Sequence, residues 1–133
     1  MNYPSQWYDA LIKPSWTPPP GTISTAWTIL YPIIVVSFGF IFYQALVKKK
    51  VSTKILRPFI INLITNLLFI PIFFGLKNIP LATLDILLVW ATIAFIMKLT
   101  WKRYRWVALA QIPYLTWVTI AGLIQLQIFF LNR

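Results

Sequence analysis

Four long apolar stretches, parted by short breaks of proline or positive charge, fix the solvent in which this chain can fold. The first, Ser24 to Leu46, carries no charged residue. At about 1.5 Å of rise per residue, a helix of that length crosses a hydrocarbon core of ~30 Å. Lys48, Lys49 and Lys50 stop it. The second runs from Ile55 to Gly75, with Arg57 near its start and Pro71 near its end, where neighbouring helices can re-satisfy the freed backbone groups. The third, Pro80 to Met97, opens on a proline suited to a first helical turn and holds Asp85 a turn and a half inside. The fourth spans about Tyr104 to Leu131 and contains Pro113, which is expected to kink it and to leave a carbonyl one turn earlier without its donor. The expected fold class is all-α: a polytopic membrane bundle of four transmembrane helices (about 24–46, 55–75, 80–97 and 104–131) in one domain over 1–133. With 59% hydrophobic and 11% charged residues, the chain falls outside the range of soluble globular domains.

Charge then orients the bundle. A net charge of +10 invites a nucleic-acid reading, but nucleic-acid binders display cations on a water-exposed face, whereas these cations lie between apolar runs. No nucleic-acid partner is expected. Lys48, Lys49, Lys50, Lys54 and Arg57 lie between the first and second helices, and Lys98, Lys102, Arg103 and Arg105 between the third and fourth. The other side holds only Lys13, Lys77 and Arg133. The positive-inside rule places the two basic loops in the cytoplasm and both termini outside. Met1 to Trp7 lacks the basic and apolar regions of a signal peptide, so the first apolar helix is expected to direct insertion. An uncleaved start and short loops favour a bacterial inner membrane. Membrane lipid is an expected partner.

Residues 1–23 hold half the prolines, Pro4, Pro14, Pro18, Pro19 and Pro20, with Tyr3, Trp7, Tyr8 and Trp16, which reads as a stiffened aromatic loop. Ser5 to Ile12 has room for one or two helical turns supported by Asp9 and Lys13, and Lys13-Pro14 ends them.

The chain has no Cys and no His. Its serines and threonines therefore lack a histidine base, and Asp9 and Asp85 make no metal cluster. No catalytic residue, metal or cofactor is expected. What stands out is seven Trp, six Tyr and ten Phe, 17% of the chain. Trp7, Tyr8, Trp16, Trp101, Tyr104 and Trp106 lie near boundaries and suit an interfacial belt. Trp27 and Tyr31 are one turn apart, and Pro113, Trp117, Ala121 and Gln125 recur every fourth residue. Such stripes serve either helix packing or the lining of a ligand cavity. Asn62, Asn66, Asp85, Gln125 and Gln127 need partners where water is absent and are expected to face inward. Asp85 has two readings, structural hydrogen bonding or a part in a site or proton path.

The run Trp7-Tyr8-x-x-Leu11-x-Lys13-Pro14-x-Trp16-x-Pro18-Pro19, followed by Trp27-Thr28-x-Leu30-Tyr31, resembles the TspO/MBR family of translocator and tryptophan-rich sensory proteins. Asn66 with Pro71-Ile72-Phe73-Phe74-Gly75, then Leu81-Ala82-x-Leu84-Asp85-Ile86-Leu87-Leu88, and then Pro113-Tyr114-Leu115-x-Trp117 with Ala121, continue the match in order over nearly the whole chain. The resemblance implies a helical bundle, commonly a homodimer, that binds porphyrins or other flat hydrophobic ligands as a sensor or carrier. Carried over by motif, Ile23, Trp27, Leu30, Tyr31, Asn66, Leu88, Trp117, Ala121 and Ile124 would line the pocket, with Trp16 and Pro19 of the 1–23 lid loop covering it. Asp85 and Gln125 would be structural polar residues. Alternatives are a porphyrin-degrading photo-oxidative enzyme, a small hydrophobic-metabolite transporter and a purely structural bundle.

The sequence departs from the family pattern in three places. The family's usual first helix has no counterpart, so the expected bundle is four-membered. Phe69 stands where members often carry Trp, which leaves Trp117 without an indole partner and favours binding over degradation. The segment from Ile124 to Phe130 has no Tyr, so it does not support the cholesterol pattern of animal members.

Overall fold

The computed structural model describes residues 10–132, without the Pro20 side chain. The expected turns from Ser5, the belt positions Trp7 and Tyr8, the Asp9 partner of Lys13, and Arg133 lie outside them. From Pro20 onward the described residues form five α-helices: α1 Pro20–Leu46, α2 Thr53–Ile70, α3 Ile79–Thr100, α4 Arg105–Ala110 and α5 Ile112–Leu131, with a π-helical turn, Pro71–Gly75, extending α2. They make four segments long and apolar enough to cross a membrane, Gly21–Leu46, Thr53–Gly75, Ile79–Thr100 and Arg105–Leu131. Among the described residues there is no strand.

Local chemistry explains most ends. Proline occupies the first turn of α1, α3 and α5, where a missing N–H costs nothing. Asn78 caps α3 by accepting from Leu81 N–H at 3.0 Å. The α1 exit closes with Lys50 N–H on Gln44 O at 2.8 Å, over Lys49 in the left-handed region at φ 53°.

Two prolines reshape the ladder. Pro71 has no proton to give the preceding turn, and the helix widens there: Leu76 N–H reaches back five residues to Pro71 O at 2.9 Å. In the fourth span the expected kink is a break. Pro113 sits in the first turn of a new helix, α5, and α4 ends two residues before it begins. Gln111 at the break is fully buried; its Nε2 donates to Val107 O at 3.0 Å and to Ser37 Oγ at 2.9 Å, tying the break to α1.

Helix α3 is central, packed most extensively against α2 and α5, while α1 lies across the bundle against α2, α4 and α5. Toward the basic end, Leu30, Ile34, Phe38 and Ile41 of α1 enter a core with Phe59, Ile93, Ile96, Val107 and Val118. Phe38 and Phe59 meet edge to face at 4.9 Å. The two basic loops lie at one end, joined by Arg103 Nη1 donating to Lys50 O at 2.5 Å.

Inside the bundle a hydrogen-bonded chain runs in one direction through four helices. Tyr31 Oη donates to Asn66 Oδ1 (3.1 Å), Asn66 Nδ2 to Tyr114 Oη (2.6 Å), and Tyr114 Oη to Asn62 Oδ1 (3.0 Å). Asn62 Nδ2 then donates to Thr92 Oγ1 (2.9 Å), which donates to Val89 O (2.8 Å). Asn62, Asn66 and Gln125 are buried, as their polarity demanded; Gln125 Nε2 donates to Thr83 Oγ1 at 3.1 Å. Gln127 corrects the expectation and is exposed, since two residues beyond Gln125 is about 200° around an α-helix.

Replacing Tyr114 by Phe removes the hydroxyl that serves both asparagines. The expected cost is about 1–2 kcal/mol, below the full penalty of an orphaned buried group because the membrane-unfolded state also finds partners. Tyr43→Phe, exposed and outside the chain of bonds, should stay within about 0.5 kcal/mol. Reversible unfolding in mixed micelles compares them.

Candidate functional site: an aromatic-walled cavity

Where the core of α1 ends, a cavity of about 710 Å³ begins. It occupies the half of the bundle away from the basic loops, between α1, α2 with its π turn, α3 and α5. Helix α1 contributes Gly21, Ile23, Ser24, Trp27, Thr28 and Tyr31; α5 contributes Trp117, Val118, Ala121, Ile124, Gln125 and Ile128. Asn66, Phe69, Ile70, Phe73 and Phe74 come from α2 and the π turn, and Ile86 and Val89 from α3.

Aromatic rings shape the wall. Trp27 stacks on Tyr31 at 5.3 Å and 30°, and meets Tyr114 edge-on at 6.3 Å. On α2 and its π turn Phe69 stacks on Phe73 at 5.5 Å and 11°, with Phe74 edge-on to Phe73 at 4.8 Å. The wide π turn is what aims consecutive Phe73 and Phe74 at one space, since an α-helix would separate them by about 100°. Polar groups are few: Tyr31 and Asn66 begin the internal hydrogen-bonded chain, Thr28 Oγ1 donates to Ser24 O at 2.9 Å, and Gln125 spans to Thr83. Trp117 Nε1 is buried without a partner among the described residues. Among the described residues, no Lys, Arg, Asp or Glu lies on the wall.

Of the residues expected to contact a ligand, Ile23, Trp27, Tyr31, Asn66, Trp117, Ala121 and Ile124 lie on this wall. Four lie elsewhere. Leu30 is buried in the core beneath the cavity, because the α1 core face takes up at that residue. Leu88 is 45% exposed, two residues from inward Ile86 and so turned to the opposite side of α3. Trp16 and Pro19 are exposed and do not touch the cavity. The loop is nonetheless held at that end: Leu11 packs by Phe73 and Phe74, and Ile12 exchanges backbone bonds with the Asn132 side chain at 3.0 and 2.8 Å. Asp85 is 6% exposed, off the wall, and its Oδ2 has no partner among the described residues.

Sequence reading passed over Phe69, Phe73 and Phe74 as site residues. A signal existed for two of them. Asn62, Asn66, Phe69 and Phe73 follow a helical i, i+4, i+7, i+11 rhythm on one face. Phe74 had none, because its direction depends on the π turn.

The TspO/MBR family model matches residues 1–131. Over 126 residues the chain is 36% identical to the tryptophan-rich protein TspO of Bacillus cereus, covering 95% of this chain and 80% of that protein. It is 32% identical over 129 residues to protein CrtK of Rhodobacter capsulatus, covering 97% and 80%. The translocator protein of Bos taurus is 28% identical over 120 residues, covering 90% and 70%.

A ring added at Ala121 enters empty space, so Ala121→Phe should leave stability within about 1 kcal/mol. Val107→Phe, in a fully buried position off the wall, should cost about 1–3 kcal/mol by overpacking. Equal losses in thermal unfolding would mean that the space beside Ala121 is closed.

Proposed function

The chain belongs to the TspO/MBR family, and on that premise we propose that this integral multi-pass membrane protein binds porphyrins or similar flat hydrophobic ligands in its cavity, as a sensor or carrier. The observation that carries the reading is that two stacked aromatic pairs, Trp27–Tyr31 and Phe69–Phe73, line one largely apolar space of about 710 Å³. That volume suits a ligand of drug to macrocycle size, and ring stacking rewards a flat one. Apolar contact supplies the affinity, and the few hydroxyl and amide groups fix orientation.

The same proposal covers orientation and assembly. The basic loops, drawn together at one end by Arg103 and Lys50, face the cytoplasm of a bacterial inner membrane, and the cavity lies in the outer half. A homodimer is the expected assembly and rests on the family resemblance. Phe69 offers a stacking face without an indole, which supports ligand binding over tetrapyrrole breakdown.

Protoporphyrin IX should quench tryptophan fluorescence of the purified protein saturably, with micromolar or tighter affinity, ~8 kcal/mol. Trp27→Phe and Trp117→Phe should each weaken binding several-fold. Linear quenching indifferent to both substitutions would leave the cavity without a porphyrin. Light-driven loss of the porphyrin spectrum that stops in Trp117→Phe would instead favour an enzyme.

A further inference from the structure

We infer that the seam between α1 and α4 binds an anionic phospholipid, its phosphate held by Lys48, Lys50 and Arg103 and its acyl chains laid on the aromatic rings just inside. The site lies at the opposite end of the bundle from the cavity and does not depend on what the cavity holds. Nine cations gather at this end, and neither Asp9 nor Asp85 lies in either of its loops. Their charge is therefore neutralised only by anions from outside the chain. The loops are short, residues 47–52 after α1 and 101–104 after α3, so the cations stay within reach of lipid headgroups.

Charge alone would spread over the whole end, but ring contacts single out one seam. Phe40 of α1 meets Tyr104 at 5.3 Å and Trp106 at 5.0 Å, both edge to face, which joins α1 to the start of α4. A cation lies over a ring on each side of this cluster: Arg103 over Tyr104 at 5.2 Å, and Lys48 over Tyr43, one turn beyond Phe40, at 5.9 Å. Arg103 Nη1 also donates to Lys50 O, which brings the backbone of the third cation to the same place. That bond uses one of the five guanidinium donors, and neither the Lys48 nor the Lys50 ammonium is hydrogen-bonded among the described residues, so donors remain for a phosphate. Tyr43 and Trp106 are exposed beside them and offer acyl chains an apolar surface at the depth where belt aromatics meet headgroups. A soluble acidic partner would reach the cations but not the rings, which makes a lipid the fitting occupant.

Purified protein is equilibrated in mixed micelles with equimolar phosphatidylglycerol and phosphatidylcholine of identical chains, and the lipid it retains is identified by native mass spectrometry. Phosphatidylglycerol should be retained several-fold in preference to phosphatidylcholine. Lys48→Gln should lower that preference, and Lys48→Gln combined with Arg103→Gln should abolish it. Lys54→Gln combined with Arg57→Gln removes the same charge from exposed positions on α2 and should leave the preference intact. No preference in the wild type, or equal loss in both double variants, overturns the site, since the attraction is then absent or diffuse. Displacement of the lipid by millimolar glycerol 1-phosphate assigns the seam to a soluble phosphate and overturns the lipid. Arg103→Gln also removes the bond to Lys50 O, so thermal unfolding in phosphatidylcholine alone checks the fold. If the double variant unfolds, Lys48→Gln decides alone, because it breaks no side-chain hydrogen bond.

Discussion

The bundle depends on polar side chains that have no water to turn to. Tyr31, Asn66, Tyr114, Asn62 and Thr92 pass hydrogen bonds from one to the next and deliver the last to the Val89 carbonyl. Between membrane helices the hydrophobic effect gives little preference for one partner over another, since lipid tails are as apolar as leucine. Directional bonds can discriminate. Here Asn62 and Asn66 face Tyr114 together from adjacent turns of α2, so a rotation of either helix breaks two bonds at once. The chain thus sets the rotation of α2 and α5 about their axes, and Tyr31 and Thr92 add α1 and α3.

The cavity follows from how unevenly α1 is held. Below Tyr31 its core face interlocks with Phe59, Ile93 and Val107; above Tyr31 it contributes Gly21, Ser24 and Thr28, which are too small to reach α3. On the far side, Pro71 widens α2 at the same level and turns Phe73 and Phe74 inward. Small residues interspersed with the ring of Trp27 on α1 and facing the widened π turn leave a space whose floor carries the Tyr31–Asn66 hydrogen bond. Ala121 and the break at Gln111 act alike on α5: the first leaves room beside Trp117, and the second frees α5 from the path of α4.

Much of this was legible from the residues. Apolar length gave four spans to within a few residues, because a bilayer admits few alternatives to a helix. Asn62 and Asn66 announced themselves by polarity at helical spacing, and Trp27, Tyr31, Trp117 and Ala121 by their stripes. Other features required coordinates. Nothing local says that Pro71 yields a π turn while Pro32 and Pro58 stay within regular α-helix. The outward turn of Leu88 and the depth of Leu30 depend on helix rotation, which apolar sequence barely encodes when lipid and core favour the same side chains. The lid expectation at Trp16 and Pro19 came from resemblance, whereas the contacts that hold the loop come from Leu11 and Ile12.

Phe69 shows how one aromatic substitution changes what such a wall can do. It lies flat against Phe73, so it presents a face to the cavity much as an indole would. A phenyl ring has no N–H and gives up an electron less readily than an indole. Trp27 keeps an indole on α1, but in contact with Tyr31 and edge-on to Tyr114, where its ring is part of the structure beside the hydrogen-bonded chain. Trp117 is the wall indole whose Nε1 has no partner among the described residues, so of the two it is the one left outside the hydrogen-bonded structure.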